Sequence, residues 1–168
     1  MLQATSNTLQ EFAQLPDTAR IWIYQAERFL TPEETTLIRE KGALFATQWQ
    51  SHGSSLRAEV AVLHNLFIIL AVDEEVHEAS GCSIDKSVRF LKDMETLTNI
   101  NFFNRMIISY LDSHNQVQLV LVRDLKTAIA NGQIDQNTLI FNNLIESLAQ
   151  LKKAWLIPAS ESWLASQF

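Results

Sequence analysis

The chain has 168 residues, 47% of them hydrophobic and 19% charged, with a formal net charge of −6. That length suits one well-packed domain, and the composition is globular rather than disordered. The acidic balance, with no basic run longer than Lys152-Lys153, excludes a nucleic-acid binder, and one cysteine leaves no intramolecular disulfide.

Residues 6–15 read as a short helix capped by Ser6, with Leu9, Phe12, Ala13 and Leu15 on one side. Pro16-Asp17 ends it, and the β-branched and aromatic run 20–26 reads as a buried strand. Thr31-Pro32-Glu33-Glu34 is a helix start: Thr31 caps, Pro32 suits the first position and Glu34 completes a capping box. The helix carries Leu37, Ile38, Leu44, Phe45 and Trp49 and runs to about Gln50, where 51–55 stops it as a loop. Residues 56–63 and 66–72 read as a hairpin around a two-residue turn, His64-Asn65.

An acidic segment, 73–78, reads as a solvated turn and leads into the only cysteine. From near Ser83 a helix places Ile84, Val88, Leu91 and Met94 on one face, widened by Phe90 and Leu97. Residues 105–111 and 116–122 form a second predicted hairpin, 124–130 a short helix ended by Asn131-Gly132, and 137–141 a strand. Leu144, Ile145, Leu148, Leu151 and Trp155 share one face of a last helix, which Pro158 breaks before a tail over 159–168. The order predicts an α+β fold in one domain, a mostly antiparallel sheet with helices packed on it. Within it, 20–111 match the β-α-β-β-α-β order of the ferredoxin-like unit.

The candidate site is Ser80-Gly81-Cys82-Ser83 at a helix start. A thiol there meets unpaired N–H groups and the positive helix pole, which favour thiolate. Cys82 is therefore a candidate nucleophile, with His52, His64 or His77 as base and Asp85 as orienter, although Asp85 opposes the thiolate electrostatically. Free cysteine is equally a small buried hydrophobe. Gly81 can supply a positive φ, turning the amides of Gly81, Cys82 and Ser83 into an anion nest with the hydroxyls of Ser80 and Ser83. Arg20 or Arg57 can add charge to it, and Trp163 either pins the tail, closes the pocket or anchors a partner. The bland alternative is that Ser80 or Ser83 is only an N-cap.

No cofactor is expected, and no C-x-x-C or H-E-x-x-H spacing predicts a metal. No signal peptide and no membrane-length apolar run are apparent, so a cytoplasmic protein is expected, with a homodimer open.

Five segments occur in a characteristic order: Arg20-Ile21-Trp22-Ile23-Tyr24-Gln25-Ala26, Trp49-Gln50-Ser51-His52-Gly53, Ala79-Ser80-Gly81-Cys82-Ser83-Ile84-Asp85, Phe141-Asn142-Asn143-Leu144 and Ser162-Trp163. The set resembles a family of small, otherwise uncharacterised bacterial proteins often labelled "ABC transporter ATPase". The resemblance runs from about Leu15 to Phe168 and implies that residues 1–14 are a variable extension. None of the four glycines, at 42, 53, 81 and 132, begins the G-x-x-x-x-G-K-[ST] loop that wraps phosphates, so ATP hydrolysis is not expected. The reading is a binding module for a small molecule or protein around Gly81-Cys82-Ser83; the alternative is a thiol-dependent enzyme.

Overall fold

The computed structural model describes residues 10–168. The helix expected over 6–15 lies partly outside them, Ser6 and Leu9 included; inside them Phe12 and Leu15 are buried. The fold is α+β, with antiparallel strands throughout.

A first sheet is built from β1 (Arg20–Gln25), β4 (Arg57–Leu63) and β5 (Phe67–Asp73), in the order β1-β5-β4. Every residue of β5 is buried. It is the central strand with both faces covered, which is why its sequence is continuously apolar instead of alternating. The β4–β5 turn holds His64-Asn65-Leu66, one residue more than the sequence suggests: Leu66 N–H closes on the Leu63 carbonyl at 3.1 Å, and Phe67 is the first paired residue.

One face of this sheet takes α1 (Pro32–Gln48) and α2 (Gly81–Thr98). Thr31, Pro32 and Glu34 form the expected capping box at the start of α1. Gly42 brings α1 so close to β4 that an added Cβ would sit 2.7 Å from Val60 Cγ1. Phe45 stacks on Phe90 of α2 at 4.7 Å, and Trp49 meets Phe45 at 5.0 Å and Trp22 of β1 at 5.9 Å. These aromatic contacts weld both helices to β1.

The opposite face packs against a second sheet, ordered β7-β6-β8-β9, from β6 (Ile107–Leu111), β7 (Val117–Leu121), β8 (Leu139–Phe141) and β9 (Leu156–Pro158). Period-two alternation splits its side chains between two cores. Leu111, Leu139, Phe141 and Leu156 join the first sheet's core, where Phe67, Phe141 and Trp155 meet at 4.8–4.9 Å. Ile108, Tyr110, Ile140 and Ile157 face the other way, into a second core closed by α3 (Leu125–Ala130), Ile134, Ala159 and Leu164.

The first three strands of the ferredoxin-like order are in place, with β5 between β1 and β4. The strand that would complete the unit, β6, instead pairs with β7 and β8. Beyond β1 runs the segment before α4 (Leu148–Ala154): Arg20 bridges Ser147, and Ile21 N–H donates to the Glu146 carbonyl at 3.0 Å. A buried polar link joins the sheets, in which Gln25 Oε1 accepts from Ser109 Oγ at 2.8 Å and Asn143 Nδ2 at 3.1 Å. Asn143 Oδ1 in turn accepts from Trp155 Nε1 at 3.1 Å.

Two expectations are corrected. The last helix starts at Leu148, not 144, because Ser147 caps it in a capping box with Gln150; Leu144 is left 78% exposed. Asp73 is not in a solvated turn but is buried at the end of β5, where it accepts from Arg57 Nη1 at 3.2 Å and Glu75 N–H at 3.0 Å.

Candidate functional site

Between α1 and β4 the chain forms a hairpin that the sequence reading passes over as a loop: β2 (Gln50–Ser51) and β3 (Ser54–Ser55). His52 and Gly53 turn it, with φ of 49° and 80°. Two consecutive left-handed residues make a type I′ turn, whose twist matches paired strands. A His-Gly pair between short polar flanks was the available signal, but two-residue strands carry no readable periodicity.

The helix start faces this hairpin. Ser80 is the N-cap of α2, its Oγ accepting from Ser83 N–H at 3.2 Å. Ser83 is fully buried; its Oγ donates to the Ser80 carbonyl at 2.7 Å, and its own carbonyl accepts from Trp49 Nε1 at 2.8 Å. The indole therefore locks the first turn of α2 to the residue preceding β2. Gly81 is the first helical residue and lacks the positive φ expected of it, since Ser80 makes the turn into the helix in an extended conformation.

A cleft of about 230 Å³ lies between hairpin and helix start, lined by Ser51, His52, Ser54, His77, Glu78 and Ser80, with Ala79 at its side. Ser51 is buried and its Oγ has no hydrogen-bond partner among the described residues, a state that costs free energy on the order of 1–3 kcal/mol. Gly81 and Cys82 donate no N–H to a protein acceptor among the described residues. No acidic residue stands in the first turn.

The predicted residues divide accordingly. His52, His77 and Ser80 come together in the cleft. Cys82, in the first turn of α2, and Asp85, in the next, are exposed outside the cleft wall, and among the described residues neither side chain makes a hydrogen bond. His64 stands at the other end of the first sheet, ringed by Phe67, Phe141 and Trp155 at 5.4–6.2 Å, and burial holds its pKa below the usual histidine value. The length of β5, on the order of 20 Å, separates it from Asp73 and the loop to α2.

Neither arginine lines the cleft. Arg20 pairs with Glu74 at 3.5 Å and lies over the Trp22 ring at 4.8 Å, and Glu74 in turn accepts from Ala79 N–H at 3.1 Å. Arg57 is held by Asp73 and by the Gln14 carbonyl. Trp163 is 56% exposed in the tail beyond the second sheet; the residue that pins the tail is Leu164, fully buried. Ser51, Ser54 and Glu78 are the polar cleft residues that sequence reasoning missed.

Among the described residues no three His, Cys, Asp or Glu side chains are grouped to hold a metal ion, and no helix is long and apolar enough to cross a membrane. No protein-family model, curated protein or solved structure matches the chain.

Proposed function

We propose that the protein is a binding module that takes a small molecule in the cleft between the β2–β3 hairpin and the start of α2. The observation that carries this reading is the polar cleft itself, one of whose wall residues, Ser51, keeps a buried hydroxyl without a partner among the described residues. Buried polar groups in native proteins are satisfied in the great majority, and an unsatisfied one costs stability. A ligand that supplies the missing hydrogen bond explains why serine stands there. The surrounding donors and acceptors (His52, Ser54, His77, Glu78 and Ser80) supply orientation. The Trp49–Ser83 hydrogen bond holds the two walls together before any ligand arrives, which lowers the ordering cost of binding.

The test is a titration of small-molecule mixtures followed by backbone amide chemical shifts. Ligands of this cleft move the resonances of residues 51–54 and 77–82 together, with little change at residues 110–118 in the second sheet. If only residues elsewhere respond, or none do, the cleft is not a binding site. Cys82→Ser should bind as the parent does, because the thiol stands outside the cleft wall.

A further inference from the structure

We propose that a second cleft, between the β6–β7 hairpin and the loop leading to β8, takes a small organic cation bearing an ammonium or guanidinium group. Asp112 and Asp135 meet its charge, and the Tyr110 hydroxyl accepts one of its N–H groups. The two clefts share no residue.

The second cleft has a volume of about 640 Å³, within the ~300–1,000 Å³ of small-molecule sites. It opens at the margin of the second core. Tyr110 faces Gln118 across the β6–β7 ladder and Asp112 follows two residues on, so the three side chains share one face of the sheet. Asp112 Oδ2 accepts from Gln118 Nε2 at 2.8 Å, and its Oδ1 accepts from the N–H groups of His114 and Gln116 at 2.8 and 2.9 Å. The Gln116 N–H and the Gln118 amide hold this carboxyl below its usual pKa, so it stays charged. On the facing loop, Asp135 Oδ1 accepts from the N–H groups of Asn137 and Thr138 at 2.8 and 2.9 Å, leaving Oδ2 without a hydrogen bond among the described residues. Neither aspartate is ion-paired among the described residues, and no lysine, arginine or histidine lines the cleft.

Tyr110 is the independent mark of a ligand. The residue is only 6% exposed, yet its hydroxyl bonds no described residue. Nor is that hydroxyl sealed off: among the described residues the enclosed side-chain atoms without a partner are Ser51 Oγ and Glu59 Oε2. Tyr110 Oη therefore keeps an opening, on the face it shares with Asp112 and Gln118 in the cleft wall. Burial, with the Asp112 carboxylate nearby, raises its pKa and keeps it a neutral hydroxyl with lone pairs to offer. A nearly buried phenol without a partner calls for one, and an N–H donor supplies it.

Charge and donor set decide the ligand class. Two carboxylates without a counter-charge favour a cation over a neutral polyol. No three metal-ligating side chains are grouped among the described residues, which in a space this large favours an organic cation over a metal ion.

Calorimetry and amide shifts with agmatine (which carries both cationic groups), glucose, glycerol and calcium chloride, at ionic strength held constant with sodium chloride, test the proposal. Agmatine should bind saturably and move residues 110–118 and 132–139, with residues 51–54 unmoved. Asp135→Asn, whose Oδ1 still accepts the two loop N–H groups, should weaken that binding about tenfold or more. Tyr110→Phe keeps the ring in the second core and should weaken it about threefold with Tm unchanged, an effect that a purely structural tyrosine would not give. Glucose or glycerol binding these residues as tightly as agmatine overturns the cation. Calcium moving them where agmatine does not overturns it in favour of a metal. Agmatine that moves none of them, or that binds both variants as tightly as the parent, overturns the site.

Discussion

Two histidines open hairpin turns with left-handed backbone, His52 at φ 49° and His64 at φ 55°. Side chains with a Cβ pay for that region, and asparagine pays least after glycine. His52 is exposed and loses little packing on replacement, so His52→Asn should stabilise the protein by about 0.5–1 kcal/mol in a denaturant titration. His64 behaves differently, since its ring sits among three aromatic side chains. Protonation there costs hydration, so the folded pKa lies below the unfolded value and the unfolded chain takes up the proton first. The neutral ring's contribution is complete above the unfolded pKa of about 6.5 and is lost as pH falls from there towards the folded value. Unfolding free energies measured from pH 7.5 to 5 should decline below about 6.5 in the parent. In His64→Asn, whose new residue accepts the same backbone, that part of the decline should vanish.

At the scale of elements, the chemistry of caps was the most legible part of the chain. Thr31-Pro32-Glu34 announced α1, whereas Ser80 and Ser83 stood as rival caps for α2, whose start was expected near Ser83, two residues late. The last helix was misplaced because the apolar spacing of Leu144 and Ile145 outweighed the capping pair Ser147 and Gln150, which starts it at Leu148. Gly42 shows what such patterns hide. Inside a helix it looks like a flaw, yet it is the point where α1 touches Val60 of β4. Gly42→Ala improves helix propensity but forces the two elements apart, and it should destabilise by about 1–3 kcal/mol, read as a lower Tm. The tail makes a similar point through neighbours of opposite burial. Leu164→Ala should cost about 2–4 kcal/mol by opening the second core, whereas Trp163→Ala should cost less than about 1 kcal/mol. Denaturation of the two variants side by side checks both.

For the whole molecule, local patterns identified the class, and long-range pairings supplied what they could not. An order of strands and helices predicts α+β and the β6–β7 hairpin, but nothing near Ser109 says that the other side of β6 pairs with β8 instead of lying beside β1. Nothing near Gln25 names its partners either, Ser109 and Asn143, 84 and 118 residues away. The cleft was half visible for the same reason: Ser80 and His52 stood out singly, while Ser51 gains meaning only when the hairpin meets the helix. Gln25→Ala should strand both partners of that buried link and destabilise by about 2–3 kcal/mol in a denaturant titration. The outer edge of β1 has a consequence for synthesis. That edge meets Ser147, and its last strand residue, Gln25, bonds Asn143. A chain growing at roughly 5–20 residues per second leaves its first strand half-paired for several seconds or more before the covering segment is made. Through that interval a nascent apolar strand depends on the ribosome's surroundings, not on the finished fold, to keep it from pairing with a stranger.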